Sequence, residues 1–425
     1  MFYAELLQAA LAEPDWSILQ RLAEIAVRLE MSLYIVGGPV RDCLLRRTGT
    51  DLDLTTEGDA LTLARVAARD LGGAWKKFER FGTAKLYFPG RARSAPIDVA
   101  TTRTETYAHP GALPEVTRGT LQTDLVRRDF TFNALAIRLD GDHQGELIDL
   151  HGGEQDLQQG LLRVLHRRSF EDDPTRLLRG ARFEQRFGFS FATDTLQLIP
   201  PALPALDQVS GDRLRHELEL IFGEAQPLKP LLRLHDLGVL HQIDPACVVD
   251  DWIAARFQTQ TAPPERNVEE AQDDRFTCWA WLTCRLTESS LTRFSQRVNL
   301  ARAEAVDVAQ VKALRDAQGT IGMLQRRSEI YRALAAYSDR ALRTALTVID
   351  RPAAQQNIGL CLNELRHVKP ALDGHQLQAL GALRGPGLGR LLEQIHDAVL
   401  DGLITTPQQE EDYARQFIAR EGQDP

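Results

Sequence analysis

The chain has 425 residues, with 43% hydrophobic and 26% charged, which excludes a disordered or fibrous protein and exceeds the size of one hydrophobic core. Lysine plus arginine number 50 against 59 acidic residues, a formal charge of −9, so no global positive field draws it to nucleic acid and any such binding needs local basic surfaces. No apolar run approaches eighteen residues, Met1–Glu5 lacks a signal-type start, and five scattered cysteines (Cys43, Cys247, Cys278, Cys284, Cys361) form no CxxC pair, so a reduced, cytoplasmic protein with no membrane or zinc attachment is expected.

Leucines and alanines at helical spacing predict two amphipathic helices in the first thirty residues, split at Pro14. Leu33–Val36 is a short β-rich run ending in Gly37-Gly38, and Asp51–Thr55 alternates polar and apolar as a half-buried strand does. Further strands are predicted at Lys85–Phe88, Ala95–Ala100 and Ala134–Leu139, with a helix near Ala60–Leu71 and a Pro- and Gly-containing loop from Tyr107 to Gly119. Beyond Asp156 strand signals fade and helical periods continue almost to the end, broken at the polar stretch Gln258–Asp274 and at Gly385-Pro386-Gly387. An α/β start and a helical remainder are expected.

Three constellations carry chemistry. The first is Gly37-Gly38-Pro39-Val40-Arg41-Asp42 followed by Asp51-x-Asp53. Glycines after a strand let a backbone approach phosphates, and Arg41 can add charge-assisted hydrogen bonds. Carboxylates two apart on a strand share a face and can hold Mg²⁺ beside those phosphates. Two such ions would activate an attacking hydroxyl and stabilise the leaving pyrophosphate. A GG pair alone is usually a turn and a DxD alone a solvated edge; the two together within twenty residues point to nucleotidyl transfer. The second is Asp124–Ala136, with Arg127-Arg128-Asp129 followed by Phe130, Phe132 and Asn133: a surface ion-pair cluster, or arginine reaching a triphosphate. The third is Asp172–Phe183. There Asp173 can simply cap a helix opened by Pro174, or Asp173 and Arg176 can present an acceptor and a donor array to the amino group and ring nitrogen of cytosine or adenine.

In this order the three segments resemble the class II tRNA nucleotidyltransferase (CCA-adding enzyme) and bacterial poly(A) polymerase family. The resemblance implies an α+β fold: a polymerase β-like nucleotidyltransferase head with a small mixed sheet at 1–155, then an all-helical neck (156–225), body (226–330) and tail (331–425). It implies metal binding by Asp51 and Asp53 and nucleotide contacts from Gly38, Arg41, Arg128, Asp173, Arg176, Arg179 and Arg182, with Asp172 where the family usually has Glu. Asp98, on an adjacent predicted strand, is a candidate third carboxylate. The implied reaction is Mg²⁺-dependent, template-independent addition of C and/or A from CTP and ATP to the tRNA 3′ end, with no protein partner. Specialised A-adding or CC-adding enzymes and a poly(A) polymerase are the alternatives within the class, and a non-catalytic RNA-binding module the alternative outside it. Tyr107–Pro114 resembles A-adding members, whereas CC-adding members have a shortened loop here, and the end Glu421–Pro425 lacks the basic extension often seen in poly(A) polymerases. Leu234–Leu240, with His235-Asp236, reads as helix packing rather than a phosphohydrolase metal site. Arg163, Arg167, Arg168, Arg326, Arg327, Arg340 and Arg343 are candidates for a basic strip along tRNA.

Overall fold

The apolar runs of the first 150 residues pair into one mixed sheet. The computed structural model describes residues 2–47, 51–79, 82–91, 96–109, 111–112, 114–259 and 268–421. Helices α1 (Phe2–Ala10) and α2 (Glu13–Arg28) precede β1 (Leu33–Val36), α3 (Gly38–Leu44), β2 (Leu52–Thr56), α4 (Ala60–Asp70), β3 (Ala74–Phe78), β4 (Thr83–Tyr87) and β5 (Ile97–Thr101). Then come β6 (Arg103–Thr106), β7 (Glu115–Arg118), α5 (Leu121–Val126), β8 (Leu135–Arg138), β9 (Leu147–Asp149) and α6 (Gly153–Gln159). The sheet order is β3-β4-β5-β2-β1-β8-β9; β2 and β5 run parallel and the other neighbours antiparallel.

Alternation sorts the strand residues onto two faces. Leu33, Ile35, Leu52, Leu54, Ile97, Val99 and Ile137 turn to a core shared with Leu19, Leu22 and Ala26 of α2 and Leu63, Ala64 and Ala67 of α4. On the other face Tyr34, Val36 and Ala136 meet Leu121 and Leu125 of α5. Asp53 belongs to this second face, because it alternates with Leu52 and Leu54.

The expected strands form with ends shifted by one or two residues, and Ala95 lies outside the described residues. Within the first 150 residues four further strands have no apolar alternation to predict them. β3 carries Lys76 and Lys77 at the sheet edge, β9 is only three residues long, and β6 and β7 are polar strands paired as a separate ribbon. The segment from Tyr107 to Gly119 is therefore not loop throughout: Glu115–Arg118 is strand, while Pro110 and Leu113 lie outside the described residues.

Past α6 a two-residue strand β10 (Leu161–Leu162) leads to α7 (Ser169–Asp172) and α8 (Thr175–Phe187). β10 pairs in parallel with β11 (Ser190–Phe191), a small exception within the helical region. α9 (Thr193–Leu196), α10 (Ile199–Ala202), α11 (Gly211–Phe222), α12 (Leu228–Asp236) and α13 (Val239–Ile243) follow. The chain divides into two compact units, Met1–Pro245 and Ala246–Pro425, a division that falls inside the segment 226–330. The second unit is helical from Asp251–Thr259 to Pro407–Glu421, around buried Phe276, Trp279 and Phe294. Of the break expected at Gln258–Asp274, residues 260–267 lie outside the described residues and both flanks are helical. Gly385 opens Pro386–Leu400 with φ 146°, a backbone angle that favours glycine. All five cysteines are buried thiols, and burial pushes those of Cys43 and Cys284 up to about 11. Among the described residues no helix is long and apolar enough to cross a membrane.

Candidate functional site

In the first unit a cavity of about 490 Å³ opens where β1–α3, β2, α5 and α8 converge. Seven arginines and four carboxylates line it, so a chain of net negative charge holds here a local excess of positive charge suited to a polyanion.

One end is set by strand register. Asp53 lies opposite Asp98 on β5, and Asp98 lies opposite Lys85 on β4. Lys85 Nζ is 3.2 Å from Asp98. Asp53 opens on the cavity, yet protein surrounds it on enough sides that desolvation, followed by the charge of Asp98, raises its pKa above the ordinary carboxylate value of 3.8. Asp51 is exposed just before β2 and is not among the cavity lining. Lys85 donates to Asp98 Oδ2, and the buried Oδ1 has that ion pair but accepts no hydrogen bond. Carboxylate oxygens are the donors that a hard divalent cation takes. Among the described residues no group of three His, Cys, Asp or Glu could hold a metal by itself, so a cation here needs further oxygens, such as substrate phosphates. The residues fit that role.

Above the carboxylates the backbone turns at Gly37, φ 72°. A Cβ there would lie 2.7 Å from Arg128 Nη1, so the turn and the close approach of this guanidinium both need glycine. Arg128 donates to Asp124 Oδ2 at 3.0 Å, and its buried Nε has no partner. Arg41 is buried: Nε donates to Asp42, Nη1 donates to Asn133 Oδ1 at 2.8 Å, and the guanidinium packs 4.6 Å from the Phe187 ring centroid. Its Nη2 lies beside Gly38. Asn133 in turn donates to Asp129, which also pairs with Arg179 at 2.6 Å. Burial opposes charge on Asp124 and Asp129, but Arg128 and Arg127 around the first, and Arg179 and Asn133 around the second, hold both below the ordinary value. The Arg127-Arg128-Asp129 segment is thus an ion-pair cluster that faces the cavity, and Phe130 and Phe132 behind it pack on Phe183.

The far end is helix α8. α8 begins at Thr175 with Pro174, not Asp173, at its cap position, yet Asp173 Oδ1 still accepts from the Thr175 backbone N–H at 3.1 Å, and also from Arg213 Nη2 at 2.6 Å. Arg176 is buried, donating to Ser169 Oγ at 2.6 Å and to the Arg127 carbonyl, so the arginine of one end is fastened to the segment that carries Arg128. Arg213 on α11 also reaches the Gly111 carbonyl at 3.3 Å. Nearby, Tyr107 donates to Glu105 at 2.8 Å, and burial, then Glu105, raises the Tyr107 pKa.

The cavity gathers Gly38, Arg41, Asp53, Arg128, Asp173, Arg176 and Arg179. It does not gather Arg182. Six residues beyond Arg176, at about 100° per residue, Arg182 points about 120° away around the helix. It lines another cavity instead. Asn133, noted in the second segment, also lines it, whereas Arg213 and Glu105 are lining residues that the sequence did not single out: Arg213 lies forty residues from Asp173, and Glu105 sits on a strand without an apolar pattern. His235 and Asp236 end α12. Of the arginines expected in a basic strip, Arg163, Arg168, Arg327 and Arg343 are paired with carboxylates, Arg340 packs over the Phe276 ring, and Arg167 and Arg326 are exposed.

Residues 33–163 match the "Poly A polymerase head domain" and 188–248 the "Probable RNA and SrmB- binding site of polymerase A". The chain is 33% identical to an A-adding tRNA nucleotidyltransferase of Halalkalibacterium halodurans, over 97% of this chain and 95% of that protein. The chain belongs to the tRNA nucleotidyltransferase and poly(A) polymerase family. It is also 34% identical to an A-adding tRNA nucleotidyltransferase of Geobacter sulfurreducens, over 94% of this chain but only 47% of that protein, so it spans about half the length of this relative. Among solved structures, a Thermotoga maritima CCA-adding enzyme complexed with tRNA is similar with TM-score 0.71 and 29% identity, 98% of each chain being covered. The family's head with its mixed sheet followed by helices is the architecture found here.

Proposed function

We propose that the chain is a nucleotidyltransferase that adds adenosine, template-independently, to the 3′ end of tRNA in the cytoplasm. The observation that carries the reaction is the cavity itself, with carboxylates at one end, a basic middle and a hydrogen-bonding acid and arginine on α8 at the other. Adenosine rather than cytidine is favoured because relatives matched over nearly the whole chain carry the A-adding name.

In this reading Asp51 and Asp53, with Asp98 as a third carboxylate, hold Mg²⁺. Bound there, the ions would lower the pKa of the attacking 3′-hydroxyl and neutralise charge on the leaving pyrophosphate. Gly38 and Arg41 line the triphosphate path, and Arg128, reaching over Gly37 with Nε unpaired, donates to its oxygens. Asp173 accepts from the exocyclic amino group of the base, and Arg176 and Arg179 frame it. Residues 1–155 act as head, 156–225 as neck that reads the base, and 226–330 and 331–425 as body and tail that bind tRNA. The test is incubation with ATP, CTP or both on tRNAs ending before CCA, before CA and before A. Growth by one nucleotide, with ATP alone, on the tRNA lacking only A is the expected product. CCA synthesis on the shortest tRNA, or long A tails, would overturn the A-adding reading, and no transfer at all would overturn the enzyme.

A further inference from the structure

Arg182 leads to a second site. The cavity it lines, about 490 Å³, shares no residue with the first and brings Arg47, Arg182, Arg186 and Lys229 together with one carboxylate, Glu224. Arg182 is 10% exposed, yet its ion pairs are loose: 3.5 Å to Glu224 and 3.7 Å to Glu217, against 2.6 Å for Arg179 to Asp129 and for Arg233 to Glu184. Its buried Nε has no hydrogen-bond partner. Glu224 is shared with Arg186 at 3.5 Å, and burial pushes Glu217 towards its neutral form. A buried guanidinium so weakly compensated is costly unless an anion completes it. Arg47 and Lys229 stand exposed at the rim. No aromatic side chain lines the cavity, so nothing stacks a base, and what it can recognise is phosphate, independent of sequence.

We propose that this second cavity holds a backbone phosphate of the RNA substrate while the first holds the nucleotide. The inference rests on the reading of the chain as a tRNA nucleotidyltransferase. Arg182 and Arg186 donate to the phosphodiester oxygens, and Arg47 and Lys229 attract the strand. Arg47 packs 4.7 Å from the centroid of Phe187, the ring against which Arg41 of the first cavity also packs, so the two sites are one side chain apart.

The test is the double variant Arg47→Glu/Lys229→Glu, confined to exposed positions so that folding is not at stake. Its control is Arg21→Glu/Lys76→Glu, reversed outside both cavities. Affinity for tRNA is measured across a salt series by anisotropy, and binding of ATP and of inorganic pyrophosphate by calorimetry. The expected result is at least about tenfold weaker tRNA binding than the control, a salt slope shallower by about 0.7–0.9 per lost contact, and unchanged ATP and pyrophosphate binding. Affinity and slope equal to the control overturn the assignment, and so does loss of pyrophosphate or ATP binding with tRNA binding intact, which marks a small-anion site. A wild-type chain that binds no tRNA overturns both this assignment and the functional reading, and is told apart from failure of the assignment alone, in which wild type, control and variant all bind tRNA equally.

Discussion

The two ends of the first cavity are built differently. The carboxylate end uses neighbours in sequence or in strand register: Asp51 and Asp53 two apart, and Asp98 opposite Asp53 across a parallel pair. The α8 end is assembled over long separations, with Arg213 forty residues from Asp173 and the Arg127 carbonyl forty-nine from Arg176. A strand places a charge by its period alone. A helix places only a stripe, and what each member of that stripe meets depends on elements packed against it. Changes at the first end should therefore act mainly on chemistry, with only a small effect on stability, whereas changes at the second should mix the two.

The largest expected effect is at the first end. Asp53→Ala and Asp51→Ala should each cut nucleotide incorporation to below about 1% with an unchanged circular dichroism spectrum, since on the proposed reading each removes a metal ligand. Substantial activity in Asp51→Ala alone would show that only the cavity-lining Asp53 holds metal, and would narrow the comparison. Next, Arg176→Ala should lose about 1–3 kcal/mol of stability, because Ser169 and the Arg127 carbonyl lose a buried donor, while also relaxing discrimination against UTP and GTP. Relaxed discrimination with no loss of stability in a denaturant titration would erase the proposed contrast between the ends.

Asp173→Ala should relax the same discrimination by about tenfold or more, and Arg213→Lys by less, since a lysine keeps the charge but not the forked hydrogen bonding that Asp173 and Gly111 receive. Selectivity ratios from kcat/KM for the four nucleotides decide it, and unchanged ratios in Asp173→Ala return that carboxylate to capping. The smallest effect is thermodynamic. The Asp53 pKa is raised on folding, so its contribution to stability is present below 3.8 and lost as pH rises through the folded value. Asp53→Asn should therefore raise the Tm of chelator-treated protein at pH 7 by about 1–2 °C, water at the cavity mouth keeping the effect small, and the gain should vanish towards pH 3.8. A lower Tm at pH 7 would mean that the carboxylate is stabilising where it stands.

The sequence by itself determined the mixed-sheet start and helical remainder, because periods of 2 and 3.6 are local. It also determined the GG turn and the DxD strand, because register follows from alternation. Phe130 and Phe132 stood out in the sequence, but only packing made them the support of Phe183 behind the cavity. Polar strands such as Arg103–Thr106 were not legible, since backbone pairing, which has no side-chain signature, holds them. That Arg182 leaves the stripe begun by Arg176 is again local, because a helix rotates about 100° per residue and three-residue steps drift off a face, but that it meets Glu217 and Glu224 instead was decided only by the tertiary structure. It alone decided, too, that Arg213 faces Asp173 and that Asn133 joins Arg41 to Asp129. Apart from Asn133 to Asp129, those contacts join segments far apart in the chain, and only the packing of α8 and α11 and the turn before β8 brings the partners within reach.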